Sequence, residues 1–138
     1  MKKALITGAN GFVGSHILAS MMHHPEIQIV AACRNQEKLI PEFNGEIRQG
    51  DLRDPVYLEQ LLDGIDVICH AAAWSSLWGH KKASKTLYLD PSLNLIDQAI
   101  KKGVKRFITS AQLPPTRLNQ QTLLARVLKG HSGRIYLI

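Results

Sequence analysis

The sequence predicts an α/β fold: a doubly wound parallel sheet with helices on both faces, in three α-β-α layers. Three observations carry that reading. Short, continuously apolar runs such as Ala4-Leu5-Ile6 and Ile27–Cys33 alternate with stretches whose apolar residues recur at helical spacing, the pattern of strands buried on both faces and crossed over by helices. A glycine-spaced turn, Gly8-Ala9-Asn10-Gly11-Phe12-Val13-Gly14, stands directly between the first strand and the first helix. The 138 residues, 45% apolar and 20% charged, suit one domain with one real core.

The elements follow in order. Lys3–Thr7 is a short apolar strand that runs into the glycine turn. The helix behind it has Phe12, Val13, Ile17, Leu18 and Met21 at helical spacing. Ile27–Cys33, rich in β-branched residues, is the second strand and Glu46–Gln49 a short third. Pro55 opens a helix where its missing N–H costs nothing, with Val56, Leu58, Leu61 and Leu62 as the inner face. Asp66–His70 is the fourth strand. A loop over Ala71–Ser84 leads to a helix ending in Leu93–Lys102, with Pro91 early in it or kinking it and Gly103 as its C-cap. Val104–Ser110 is the fifth strand. Right-handed crossovers between such strands give a doubly wound sheet.

Residues 1–111 are expected to form the main domain. Residues 112–138 read as an atypical tail that adds one helix, Asn119–Lys129, and one strand, Arg134–Ile138. Charge separates the two: residues 1–111 hold 13 basic and 11 acidic side chains, whereas the tail holds Arg117, Arg126, Lys129, Arg134 and no acid. The net charge of +6 is thus mostly a property of the tail. No aromatic-interleaved basic face accompanies it, so nucleic-acid binding is not expected. No apolar run approaches the roughly 18 residues of a membrane span, and the apolar stretch before Thr7 is too short for a signal peptide; a cytoplasmic protein is expected. Cys33 and Cys69 lack metal-ligand spacing and read as two buried, reduced thiols.

The glycine turn carries the chemistry. Gly8 permits a tight turn, Gly11 lets backbone approach a pyrophosphate, and Gly14 lets the helix pack against the strand. Phosphates over that helix start would meet free N–H groups and the positive end of the macrodipole. Thr7–Gly14 strongly resembles the opening of the extended and atypical short-chain dehydrogenase/reductases, the NAD(P)-dependent epimerase/dehydratase group. Gly50-Asp51-Leu52-Arg53-Asp54, His70-Ala71-Ala72-Ala73 and Gly103-Val104-Lys105-Arg106-Phe107-Ile108 resemble further elements of that family, in its order, across residues 3–110.

The resemblance implies a Rossmann fold and a dinucleotide cofactor. Gly8, Gly11, Phe12, Val13 and Gly14 would hold the pyrophosphate, with Asn10 of the same turn a further cofactor-binding residue; Asp51 and Leu52 would meet the adenine, and His70, Ala71 and Ala72 the ribose. Where NAD enzymes offer a carboxylate at the end of the second strand, this chain reads Cys33-Arg34-Asn35-Gln36-Glu37-Lys38. Arg34 and Lys38 would attract a 2′-phosphate, which favours NADP over NAD, with Glu37 weakening the field. The loop from Ala73 to Lys82, with Trp74, Trp78, His80, Lys81 and Lys82, either contacts a small-molecule substrate or packs over the sheet end. His23 and His24 read as solvated.

The family's acid/base pair is missing. Four residues after Tyr57 and Tyr88 stand Leu61 and Ser92, and the chain ends two residues after Tyr136, so there is no Tyr-x-x-x-Lys. The family's catalytic serine falls on Ala111 or Gln112; only a one-residue shift reaches Ser110. Tyr88 stands where many relatives carry asparagine. The tail is either a shortened form of the family's next helix and strand, with Leu118 and Thr122 at the tyrosine and lysine positions, or an out-of-frame ending. The expected function is therefore an NAD(P)-binding protein whose family chemistry is hydride transfer at a hydroxyl or carbonyl carbon. The alternatives are a non-catalytic NADP(H)-binding regulatory module or an inactive remnant, and a homodimer or a partner chain remains open.

Overall fold

The computed structural model describes residues 1–72, 81–109 and 134–137. In chain order these form β1 (Lys2–Thr7), α1 (Phe12–Met21), β2 (Ile27–Cys33), a 3₁₀ turn (Gln36–Lys38), β3 (Glu46–Gln49) and α2 (Pro55–Leu61). Then come β4 (Val67–His70), α3 (Lys81–Ser84), a widened π turn (Lys85–Leu89), α4 (Asp90–Lys101), β5 (Arg106–Thr109) and β6 (Arg134–Leu137). The six strands make one parallel sheet in the order β3-β2-β1-β4-β5-β6. The expected doubly wound α/β fold is thus the fold observed.

Successive residues of a strand face opposite sides, so the sheet builds two cores from one apolar run. Leu5, Val30, Ile68 and Phe107 face one side, packed with Leu58, Leu61 and Leu62 of α2 and Leu95, Ile96 and Ala99 of α4. Ile6, Ile29, Ala31 and Cys69 face the other, against Leu18 of α1, with Ile17 and Met21 flanking it. Leu5 and Ile6 are both wholly buried, each stabilising the fold by about 1.5–3 kcal/mol relative to exposure.

Charged side chains close the amino edge of the sheet. The Asp66 carboxylate accepts the Lys3 N–H (3.0 Å) and the Lys105 ammonium (3.0 Å). Its main-chain carbonyl accepts the N–H groups of Lys105 (2.9 Å) and Arg106 (3.3 Å). Arg48 donates through Nη1 to the carbonyls of Gln60 (3.3 Å), Leu61 (2.7 Å) and Asp63 (3.1 Å), satisfying the orphan acceptors at the end of α2, while its Nε donates to Glu46 (2.7 Å).

Four sequence expectations are corrected. Phe12 and Val13 sit in the first turn of α1, beyond the sheet edge, and are 81% and 42% exposed. Val56, in the first turn of α2, is likewise exposed while Leu58, Leu61 and Leu62 are buried. Helical backbone starts at Lys81 rather than after Ser84; the segment lacks glycine and proline, and Pro91 occupies the start of α4, where proline is tolerated. The fifth strand is shorter than expected, because the Val104 N–H closes on the Ala99 carbonyl (3.0 Å) around Gly103, at φ +73°. The helix over 119–129 lies outside the described residues.

Candidate functional site

β1 and β4 are neighbours whose crossovers leave in opposite directions, so a crevice opens at their carboxyl ends. There lies a cleft of about 260 Å³. Its floor is the turn from β1 into α1. Gly8 holds φ +63°, and a Cβ on it would come within 2.6 Å of the Ala72 nitrogen. A Cβ on Gly14 would fall on the Gly8 carbonyl, so these two glycines are demanded by the protein itself. Gly11 differs: its Cβ would meet only the Gly8 oxygen, at 3.2 Å. Its freedom from side chain serves the space above it.

α1 starts at Gly11 with no side-chain cap and no acid in its first turn. Backbone N–H groups at a helix start need acceptors, and here the described side chains offer none. The donor set, the open glycine and the absence of negative charge fit a phosphate-bearing ligand.

Asn10 lines the cleft, but its Nδ2 donates to the Asn35 carbonyl (3.3 Å). Arg34 also lines it and is exposed. Opposite stands Asp51, whose carboxylate accepts the Arg53 main-chain N–H (2.9 Å), Arg53 Nε (3.0 and 3.1 Å) and Arg53 Nη2 (2.6 Å). Hydrogen bonding from Arg53 brings its pKa down to about 2, with Arg34 adding to the field. Leu52 lines the same end, and Tyr57 supplies a wall there, its hydroxyl donating to the Arg48 carbonyl (2.5 Å) and its pKa pushed by burial to about 12.

The inner wall is a buried polar chain. His70 Nδ1 lies 2.7 Å from Thr7 Oγ1 and His70 Nε2 lies 2.9 Å from Ser92 Oγ. Burial alone lowers the His70 pKa to about 4, so the ring is neutral at ordinary pH. Tyr88 stacks on it with ring centroids 6.1 Å apart. The Tyr88 hydroxyl bonds to Ser92 and Thr109, and its burial holds its pKa above the usual phenol value.

The structure therefore gathers Gly8, Asn10, Gly11, Arg34, Asp51, Leu52, His70, Ala71 and Ala72 around one cleft. Phe12 and Val13 stand at its edge without lining it, Gly14 lies buried beneath Gly8, and Lys38 is exposed off the wall. Ser110, Trp74, Trp78 and His80 lie outside the described residues. Cys33 and Cys69 are free and buried, and burial pushes both thiols up. Among the described residues no cluster of metal-ligating side chains occurs and no helix is long and apolar enough to cross a membrane. Thr7, Arg53, Tyr57 and Ser92 join the cleft without having been singled out as cofactor contacts. Thr7 alone carried a signal, a polar residue closing an apolar strand just before the glycine turn.

Residues 4–112 match the NAD dependent epimerase/dehydratase family. A UDP-glucose 4-epimerase of Vibrio cholerae is 32% identical over 112 residues, covering 78% of this chain and 34% of that protein. The enzyme WbmH of Bordetella bronchiseptica, solved in complex with NAD+, is 26% identical with a TM-score of 0.68, covering 80% of this chain and 38% of that one. A Thermus thermophilus UDP-glucose 4-epimerase solved with NAD superposes over 98% of this chain and 53% of its own, at a TM-score of 0.80 and 16% identity. The chain thus spans about a third of the length of the curated epimerase (34%) and about half of the Thermus chain (53%).

Proposed function

The chain belongs to the NAD dependent epimerase/dehydratase family, and on that premise we propose that it binds a nicotinamide dinucleotide, NADP in preference to NAD. The observation that carries the reading is the junction of β1 and α1, an uncapped, acid-free helix start reached through an open glycine at the floor of the cleft. In this reading Gly8, Gly11 and the helix start at Phe12 and Val13 cradle the pyrophosphate, and Gly14 lets α1 pack beneath Gly8. Asp51 and Leu52 meet the adenine, and His70, Ala71 and Ala72 flank the ribose. Residues 1–111 are the binding domain, to which the tail adds β6 beside β5.

The preference for NADP rests on charge. The facing carboxylate, Asp51, is already engaged by Arg53 through side-chain contacts of 2.6–3.1 Å. No described ion pair involves Arg34, so the corner keeps a net positive charge suited to a 2′-phosphate. Lys38, off the wall, adds only field.

A bound nicotinamide supplies hydride transfer at a hydroxyl or carbonyl carbon. This chain's residues bind it, orient it and exclude water beneath it. The names of the relatives point to nucleotide sugars as the substrate class.

A thermal-shift titration with NADPH and NADH tests the proposal. A hundredfold excess over the dissociation constant adds about 2.7 kcal/mol of apparent stability. A transition raised by NADPH more than by NADH is expected; one blind to both nucleotides refutes the reading. Arg34→Asp is expected to weaken NADP by ~1–3 kcal/mol while sparing NAD.

A further inference from the structure

Arg34 hangs between two anchored carbonyls. On its N-terminal side the Cys33 carbonyl accepts the Gly50 N–H (3.0 Å), which fixes it to the end of β3. On its C-terminal side the Asn35 carbonyl accepts two donors: the Lys38 N–H (3.3 Å), which closes the 3₁₀ turn, and Asn10 Nδ2 (3.3 Å) from the glycine turn. Asn35 also caps that 3₁₀ turn, its Oδ1 accepting the Glu37 N–H at 3.0 Å. The Asn35 peptide is therefore a node. It ties the loop that carries Arg34 and Lys38 to the loop that forms the cleft floor.

Backbone alone leaves this tie incomplete. The Ala9 N–H reaches the Ala32 carbonyl (3.2 Å), but that bond ends two residues before Arg34. Beyond it, the Asn10 amide is the described link across the gap. A carbonyl oxygen has two lone pairs, so Asn35 serves the turn and the clamp at once. Losing the Asn10 donor leaves the 3₁₀ turn intact and releases its position relative to the cleft floor. An arginine that meets a phosphate through a fixed fork loses affinity steeply when its root moves by a fraction of an ångström.

We propose that Asn10 is a positioning residue for cofactor discrimination: by holding the Asn35 carbonyl it sets Arg34 at the 2′-phosphate corner, and so governs the preference for a 2′-phosphorylated adenine nucleotide. This rests on the reading of Arg34 above. It gives Asn10, which the sequence marked only as a cofactor-binding residue of the glycine turn, a definite role. A group touching the pyrophosphate serves both cofactors equally, whereas a group acting through Arg34 serves one.

The test is a binding cycle on the full chain, with isothermal titration of NADP+, NAD+, adenosine 2′,5′-bisphosphate and adenosine 5′-phosphate. The proteins are the parent, Asn10→Ala, Arg34→Gln and the double variant. Asn10→Ala is expected to weaken NADP+ and the bisphosphate by about tenfold and to leave NAD+ and adenosine 5′-phosphate within about twofold. In the Arg34→Gln background the same change is expected to cost no further discrimination. Equal loss for both cofactors, no loss for either, or a loss additive with Arg34→Gln overturns the proposal. An Arg34→Gln protein that still prefers NADP+ as the parent does, or a parent with no preference, removes the reading of Arg34 and the proposal with it. Should Asn10→Ala fail to give a cooperative thermal transition, Asn10→Ser, which keeps a small polar residue in the loop but no amide donor, carries the same comparison.

Discussion

His70 makes the stability of this protein depend on pH. Its ring is buried between Thr7 and Ser92, and burial lowers its pKa from 6.5 to about 4. In the unfolded chain the same imidazole takes up a proton near pH 6.5, while the folded chain refuses it until about pH 4. The unfolded state therefore binds more protons across that interval. Stability is fully present above the unfolded value and falls as the pH drops toward the folded one. Linkage gives a loss of about 2 kcal/mol between about pH 7 and about pH 5. The carboxylates with lowered values, such as Glu26 and Glu46, act below their ordinary 4.5, beneath the upper part of the window in which His70 acts. Urea unfolding at half-unit steps of pH measures it. His70→Gln, which bonds without titrating, is expected to be less stable at neutral pH but to have a flatter slope above about pH 5. Equal slopes in both proteins, or an imidazole resonance at His70 that titrates near its ordinary value, would refute the reasoning.

Three further outcomes follow from the glycine turn and the end of α2. Gly14→Ala puts a methyl group on the Gly8 carbonyl and is expected to cost ~3 kcal/mol or more, read as a lowered melting temperature. Gly11→Ala meets only the Gly8 oxygen, at 3.2 Å, so it should keep the fold and weaken nucleotide binding; a Gly11→Ala protein that binds as the parent does would remove the argument that the space above Gly11 is for a ligand. Arg48→Met strips the α2 carbonyls of their donor and is expected to destabilise by ~1–3 kcal/mol in urea. An unchanged midpoint would mean that water caps the helix equally well.

The sheet was legible because its strands are buried on both faces. Ala4-Leu5-Ile6 and Val67-Ile68-Cys69 are apolar at every position, and only a parallel sheet covered on both sides consumes such runs. The floor of the cleft was legible because glycine spacing encodes backbone geometry, and Gly8 and Gly14 stand where any Cβ would collide with main chain. Periodicity was a poorer guide at Phe12, Val13 and Val56. An apolar residue in the first turn of a helix keeps the helical phase, whether it faces a core or projects past the end of the sheet, and these three project.

The inner wall was hidden for a different reason. Tyr88 and Ser92 reach His70 because helical backbone runs unbroken from Lys81 into α4 and widens to a π turn over Lys85–Leu89. Tyr88 and Ser92 stand four positions apart on that run and share a face, so Ser92 bonds to His70 and Tyr88 lies over its ring, centroids 6.1 Å apart. The sequence left Pro91 either early in the helix or kinking it and marked Tyr88 only as standing where relatives carry asparagine; the unbroken helical run ahead of Pro91 is what makes Tyr88 a wall of the cleft.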